Sequence, residues 1–318
     1  MASYSYVFFG TSPFAVPCLQ TLLHDERFHL RGTVTQPDRP TGRHAILTPS
    51  AVKQATQITE SAPLWQPERL TDPDFRSWIA SVGKDCDFFL IISYGKILPS
   101  WLLDLPTHGA INIHGSLLPR WRGASPIQAC LLAGDEVTGI TVMRMDALLD
   151  HGPIVSQAQI PILPQETAAH LHDRLALKGS EILADILDAF LSGRLRQTEQ
   201  NDAQATFCRT LSRDDGRIDW HKTAGEIERQ VRAYTPWPGT WTTWQGKRLK
   251  ILTARPAAHP GLSVGQFALA TKRLLVGCGQ STCLELVQVQ QEGGKPQSGD
   301  GLPGVLDANS LNLPSDRT

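Results

Sequence analysis

Phe88-Phe89-Leu90-Ile91-Ile92 is an unbroken run of large apolar residues. A strand with one face in water alternates apolar and polar positions. A short, uniform run suits a strand covered on both faces, as in a parallel sheet flanked by helices. Ser5 to Phe9 and Leu30 to Thr35 read as further strands, and Ala110 to Ile113 extends the set. Between the first two, Phe14, Cys18, Leu19, Leu22 and Leu23 form a helical apolar stripe. It follows Gly10-Thr11-Ser12-Pro13, where Ser12 suits an N-cap and Pro13 the first helical position. Strands alternating with helices specify βαβ units, hence an open, mostly parallel α/β sheet.

The pattern changes along the chain. Thr167 to Leu191 carries one long amphipathic stripe, ended by Ser192-Gly193. Arg194 to Ala205 is polar and almost free of large apolar groups, so it reads as a linker. After Phe207 comes a helical piece, Thr223 to Ala233, then Pro236-Trp237-Pro238-Gly239. Short strand-like runs follow at Thr240–Trp244, Leu249–Leu252, Leu274–Val276 and Leu284–Val287. Short strands with turn signals predict a small β-barrel. From Gly293 the chain is rich in Gly, Pro and Ser and is expected to be poorly ordered. The expected division is residues 1–193, a linker 194–206, and 207–318.

Composition excludes several classes. The 318 residues are 41% hydrophobic and 19% charged, as in soluble globular proteins. The longest apolar runs are too short to span a bilayer. Met1-Ala2-Ser3-Tyr4 lacks a basic leader, so a cytoplasmic location is expected. The six cysteines are dispersed without a C-x-x-C pair, which predicts buried thiols and no metal site. Net charge is -1 but uneven. From Thr206 onward there are 14 basic and 10 acidic residues, an excess that permits contact with a polyanion.

The chemistry concentrates in Asn112-Ile113-His114-Gly115-Ser116-Leu117-Leu118-Pro119-Arg120-Trp121-Arg122-Gly123 and in Leu149-Asp150-His151-Gly152. Asn112 and His114 are two apart, so an extended backbone points both to one side. An amide donates to a developing oxyanion, an imidazole carries a proton near neutral pH, and a carboxylate orients it. The trio suits acyl transfer. Taken alone, the Asn-x-His pair equally suits a structural histidine, and Asp150 an ordinary turn residue. Ligands bind outside the carboxyl ends of α/β strands, which favours a site here. Pro119 is predicted to be cis.

Three other stretches are candidates. Gly10 to Pro13 is a strand-to-helix turn able to bind an anion through Thr11 and Ser12, or simply a capped helix start. Gln36 to His44, with Arg39 and Arg43, is a polar loop after a strand and a candidate binding loop. Arg120-Trp121-Arg122 either stacks on nucleic acid, or packs its tryptophan and neutralises nearby carboxylates.

Taken together these motifs resemble the methionyl-tRNA formyltransferase family, within the wider folate-dependent formyltransferases. The resemblance runs from about Ser5 to Gln290. It uses Phe9-Gly10-Thr11-Ser12-Pro13-Phe14-Ala15, Thr35 to Arg43, Ser93 to Pro99, Asn112 to Gly123, Thr138 to Met143, Leu149-Asp150, Gly216-Arg217-Ile218-Asp219-Trp220 and Pro236-Trp237-Pro238. It implies a Rossmann-like sheet followed by an OB-like barrel that binds tRNA. The implied donor is 10-formyltetrahydrofolate and the implied acceptor is the α-amine of methionyl initiator tRNA, with a monomeric enzyme and no metal. Asn112, His114 and Asp150 take the catalytic roles by resemblance. Ser116, Leu117, Leu118, Pro119, Ile97 and Leu98 match folate-binding positions. Arg43 matches a tRNA-gripping arginine, and Arg39, Thr11 and Ser12 fall in the substrate-binding stretches. Leu148 stands where the family has glycine before Leu-Asp. Rivals are a formyltransferase acting on a small amine, a formyltetrahydrofolate hydrolase and a non-catalytic binding paralogue.

Overall fold

A computed structural model of the chain describes residues 3–41, 45–57, 62–258, 261–270 and 272–302. The chain folds into two compact units. The first holds Met1–Pro126, Val137–Pro161 and His172–Cys208, and the second holds Ile127–Glu136, Ile162–Leu171 and Arg209–Thr318.

A seven-stranded sheet organises the first unit. Its strands are β1 (Tyr4–Gly10), β2 (Phe28–Val34), β3 (Leu64–Trp65), β4 (Phe88–Ile92), β5 (Ala110–His114), β6 (Val137–Arg144) and β7 (Ile154–Pro161). They lie in the order β3-β2-β1-β4-β5-β6-β7. The first five are parallel, whereas β6 runs antiparallel to both its neighbours, β5 and β7. Both faces are covered, which is why β4 reads as uninterrupted apolar residues. Val7, Phe9, Val34, Phe89 and Ile91 pack with Phe75 and Ile79 of helix α1 (Pro73–Gly83) and with Leu102 and Leu103. On the other face Tyr6 stacks on Phe88 at 5.4 Å. There Gly179, in the helix Ala168–Leu191, faces Cys18, Ile113 and Ile140. The order reverses at β1, so the carboxyl ends of β1 and β4 flank a switch point, where such sheets bind ligands.

In the second unit an antiparallel sheet is formed by β8 (Thr240–Trp244), β9 (Lys247–Ala257), β10 (Phe267–Ala270), β11 (Arg273–Gly277) and β12 (Cys283–Gln291). The order is β8-β9-β12-β11-β10, and β13 (Gln297–Ser298) joins β12. Helix α2 (Ala224–Ala233) begins with a full capping box between Thr223 and Glu226. It buries Ile227 and Val231 in a core with Trp244, Leu249, Phe267, Leu274 and Leu286.

Three local expectations need correction. Ser12 holds the N-cap position with extended backbone, but its hydroxyl makes no cap bond. The first turn, Pro13–Ala15, is a 3-10 helix in which the Ala15 N–H goes to the Ser12 carbonyl. The chain after Gly293 is ordered as far as Leu302: β13 pairs with Gln288 and Val289, and Leu302 is buried in the core. The expected disorder beyond it lies outside the described residues. The polar stretch 194–206 is pinned, because Thr198 bridges to Ile154 and Phe207–Cys208 pairs in parallel with Arg122–Gly123.

Candidate active site

Asn112 and His114 end β5, next to β4 and β6 in the sheet. Both are buried, at 9% and 6% exposure. His114 Nε2 lies 2.9 Å from the Trp121 carbonyl oxygen. A carbonyl only accepts, so Nε2 carries the hydrogen and Nδ1 is the nitrogen that faces Asp150. Nδ1 stands 3.7 Å from Asp150 Oδ2, ion-pair distance but too long for a hydrogen bond.

Asp150 is presented by a strained turn. Its φ is 47°, in the left-handed region. Its Oδ2 accepts the Gly123 N–H at 2.8 Å, which aims the carboxylate at the imidazole. Gln200 Nε2 donates to the Asp150 and Gly152 carbonyls at 2.9 and 2.8 Å. Both motif glycines are explained by close approach. A β-carbon on Gly123 would lie 2.0 Å from the Cys208 carbonyl oxygen, and one on Gly152 would lie 2.0 Å from that of Arg144. In this turn the positive φ falls on Asp150 and not on Leu148. Leu148 is exposed, with its N–H on Asp146 Oδ1 at 2.9 Å.

The guanidinium of Arg122 is buried, with its charge satisfied. It donates to Gln200 Oε1 at 2.8 Å and to Asp202 Oδ1 at 2.7 Å. Thr206 holds the preceding backbone through its hydroxyl on Trp121 N and its carbonyl on Arg122 N, both at 2.9 Å. Of the two readings of Arg120-Trp121-Arg122, charge neutralisation is what Arg122 performs, while Arg120 lies over the Trp121 ring at 4.9 Å.

The stretch Ser116 to Pro119 is a fixed turn with the predicted cis Leu118–Pro119 bond. Thr141 Oγ1 donates to the Ser116 carbonyl at 2.7 Å and accepts from Leu118 N at 3.0 Å. Gln157 Nε2 donates to the Leu118 carbonyl and to Thr141 Oγ1. The Ser116 hydroxyl donates to the Arg120 carbonyl at 2.6 Å. Ser116 and Leu118 are therefore turned inward, and the half-buried Leu117 and Pro119 offer the accessible surface. Ile97 is 85% exposed, whereas Leu98 belongs to the core and offers only its backbone. Gly95, in the turn after β4, has φ 85° and open space beside it.

At the switch point Thr11 Oγ1 donates to the Tyr94 carbonyl at 2.9 Å and accepts from Gln36 N at 3.3 Å, stitching three strand ends together. The Ser12 hydroxyl is buried without a protein partner. Arg39 is exposed and paired with Glu68 at 2.9 Å. Arg43 lies outside the described residues. Asp38, at the root of that loop, receives Lys53 and Gln66, both at 2.7 Å. These contacts, Lys53 first, hold its carboxyl below the usual range. No three His, Cys, Asp or Glu side chains among the described residues converge to hold a metal ion.

Sequence reasoning missed Gln200, Thr141 and Gln157 as site-shaping residues. Each is a polar residue whose partners lie 16 to 78 positions away. Thr141 lies within the Thr138 to Met143 motif, but the motif does not announce the contact, and Gln157 and Gln200 lie in no motif.

Comparison with known proteins identifies the family of both regions of the chain. Residues 5–187 match the model of the family described as formyl transferase, and residues 210–302 match its C-terminal domain. The chain is 42% identical over 293 residues to a methionyl-tRNA formyltransferase of Koribacter versatilis, covering 91% of both chains. It is 43% identical over 291 residues to a protein of the same name from Stutzerimonas stutzeri, again covering 91% of each. Among solved structures, an N-formyltransferase from Helicobacter canadensis in complex with folinic acid and dTDP-3-aminofucose matches with a TM-score of 0.66 at 15% identity. That match covers 91% of this chain and 100% of the other, and at such identity it speaks for the fold alone.

Proposed function

The chain belongs to the methionyl-tRNA formyltransferase family, and from that membership we propose how it carries out formyl transfer to methionyl-tRNA. The donor substrate is 10-formyltetrahydrofolate and the acceptor is the α-amine of methionyl initiator tRNA. The products are formylmethionyl-tRNA for translation initiation, and tetrahydrofolate. The observation that carries the reading is the pairing of His114 Nδ1 with Asp150 Oδ2 at the carboxyl end of β5, with Asn112 two residues earlier on the same strand.

The amine attacks the formyl carbon directly. A C–N bond forms, the carbonyl electrons move to oxygen, and a tetrahedral adduct results. The Asn112 amide donates to that oxyanion, and the positive charge of a protonated His114, whose two N–H groups face the Trp121 carbonyl and Asp150, stabilises it electrostatically. The adduct collapses with loss of the folate nitrogen, and the proton released by the amine is delivered to it. Asp150 holds His114 or an ordered water for that proton transfer. The direction in which Nδ1 faces supports this assignment: protonation there places a donor opposite the Asp150 carboxylate.

Ser116 to Pro119 and the Ile97-Leu98 backbone form the folate-binding surface. The fixed turn under Thr141 and the open space at Gly95 fit a flat heteroaromatic ligand held by backbone groups. Arg43 grips the aminoacyl end, with Arg39 in the same loop and Thr11 and Ser12 at the switch point as further substrate-binding residues. The region from Thr206 onward, with its excess of basic residues, supplies further tRNA contact. The organisation is that of a formyltransferase region of residues 1–193, a connecting segment 194–206 and a tRNA-binding region 207–318. The enzyme acts as a monomer in the cytoplasm. No helix among the described residues is long and apolar enough to cross a membrane.

One assay tests the proposal. The protein is incubated with formyl-labelled 10-formyltetrahydrofolate and, separately, methionyl-tRNA, uncharged tRNA, an amino-sugar nucleotide or buffer alone. Label on the methionyl amine alone is expected. Label on the sugar amine, or free formate in buffer, assigns the site to a small-amine transferase or a hydrolase instead. His114→Ala with full activity would overturn the mechanism but not the family.

A further inference from the structure

His151, immediately after the Asp150 carboxylate, is not used by the reaction above. Its two ring nitrogens each face a carboxylate. Nδ1 lies 2.6 Å from Asp146 Oδ2, and Nε2 lies 3.4 Å from Asp202 Oδ2. Ionised carboxylates only accept, so both contacts are hydrogen bonds only when both nitrogens carry hydrogens. Asp202 is shared: its other oxygen accepts from Arg122, Arg122 donates to Gln200, and Gln200 donates to the carbonyls of Asp150 and Gly152. The chain of bonds leaves the Asp146–Gly152 turn at His151 and returns to it at Asp150. It forms a closed ring around the turn that aims the carboxylate.

We propose that His151 is a positioning residue for Asp150, which as a doubly protonated imidazolium closes this ring and holds the turn in place. The inference rests on the catalytic reading of Asp150. The charged groups around His151 are Asp146 on its own turn, Asp202 on the 3-10 turn Asp202–Gln204, Arg122 behind Asp202, and Asp150 itself. The hydrogen bond donated to Asp146, then the contact with Asp202, raise the His151 pKa above its usual value. Arg122, ahead of His151, holds the Asp202 carboxyl below the usual range, so Asp202 stays ionised while His151 titrates. The sign follows. A raised histidine keeps its second proton below its folded pKa and loses it as pH rises through that value. The proton lost is the one on the longer, Asp202 contact. The ring then opens on the alkaline side, and the Asp150 carboxylate loses its fixed aim.

The test uses the full chain, with His151→Ala, Asp202→Asn and, as reference, Asp150→Asn. Single-turnover formylation of methionyl-tRNA is followed from about pH 6 to pH 9, spanning the histidine range. The His151 ring proton is titrated by NMR in the wild type and in Asp202→Asn. His151→Ala and Asp202→Asn are each expected to lower the transfer rate roughly tenfold at neutral pH, a loss in line with sub-ångström misplacement of a catalytic group. The KM for either substrate should be unchanged. Both variants should lack a downward step that the wild type shows on the alkaline side, and Asp202→Asn should lower the NMR-observed pKa of His151. The proposal is overturned if His151→Ala keeps the wild-type rate and the same pH profile while Asp150→Asn is inactive. If Asp150→Asn is itself fully active, the reading of Asp150 fails, and this inference with it. Asp202→Asn keeps an oxygen that can accept from the buried Arg122 while removing the ionised partner of His151, so a wild-type rate and pH profile in that variant overturns the idea even where His151→Ala misfolds.

Discussion

Gly123→Ala isolates the contact that aims Asp150. A β-carbon there meets the Cys208 carbonyl oxygen at 2.0 Å, about 1 Å inside the closest approach real side chains show. The obstacle is backbone, held by strand pairing to Arg122–Gly123, so it cannot swing aside. The segment carrying Gly123 N–H must move by roughly that amount, enough to break its 2.8 Å bond to Asp150. A hydrogen bond to an ionised group contributes about 1.5–3 kcal/mol. At about 1.4 kcal/mol per decade, losing it from the transition state lowers kcat/KM by one to two orders of magnitude. Stability falls separately, because φ of 119° is left to an alanine at a cost of about 1–3 kcal/mol. Gly193→Ala is the control. Its φ is also positive, at 75°, yet nothing lies within 4 Å of the new methyl group. It should lose stability alone. Steady-state formylation of methionyl-tRNA, paired with urea unfolding, reads both effects. The reasoning is refuted if Gly123→Ala loses stability like the control but keeps kcat/KM within about twofold of wild type, a change smaller than any charge-assisted bond supplies.

Three further outcomes are expected. Asn112→Ala should lower kcat by about 10²–10³-fold with little change in KM, the usual loss for one oxyanion donor, as measured under saturating substrates. Thr141→Val deletes a fully buried hydroxyl that serves Ser116, Leu118 and Gln157. Each orphaned group costs about 1–3 kcal/mol, so thermal unfolding should shift down and equilibrium dialysis should show weaker folate binding. In the second unit, Asp215 is held far below the usual carboxylate range by Arg209, and then by the backbone N–H and hydroxyl of Ser212. A depressed carboxyl stabilises the fold above its unfolded pKa, so that stability is lost as pH falls below about 4. Asp215→Asn should flatten the acid limb of urea midpoints, and an unchanged slope would contradict this.

How much of this was legible in the sequence depends on whether the signal is local. β4 is legible because a strand covered on both faces must be apolar throughout, and its bounds, Phe88–Ile92, agree with the reading. β7 is harder to see. Its outer positions alternate with Gln157 and Gln159, as befits an edge strand, and only Ile154-Val155 stands out in the sequence. The capping rule at Ser12 is local but was overridden, since the tight first turn gives the Ala15 N–H to a carbonyl instead of the hydroxyl. Gly293 to Leu302 has a loop-like composition, yet one buried leucine and two strand residues suffice to order it.

The site divides along the same line. Asn112 and His114 are legible as a pair because strand periodicity puts them on one side. Asp150 becomes legible only through the motif that follows it. The residues that hold this trio carry no such signal. Polar composition made 194–206 look like a linker, because side chains that satisfy buried carbonyls have the same composition as side chains that face water. Gln200 and Arg122 lie 78 positions apart, and Gly123 is a glycine because of Cys208. The hydrogen bond to the Trp121 carbonyl fixes which imidazole nitrogen faces Asp150, and nothing in the order of residues states that choice. Reactive groups must sit at strand ends with the right spacing, so sequence constrains them. Their supports need only arrive in space with a free donor or acceptor, and many sequences supply one. Variants at the supports should therefore change rate and pH dependence while leaving every recognisable motif intact.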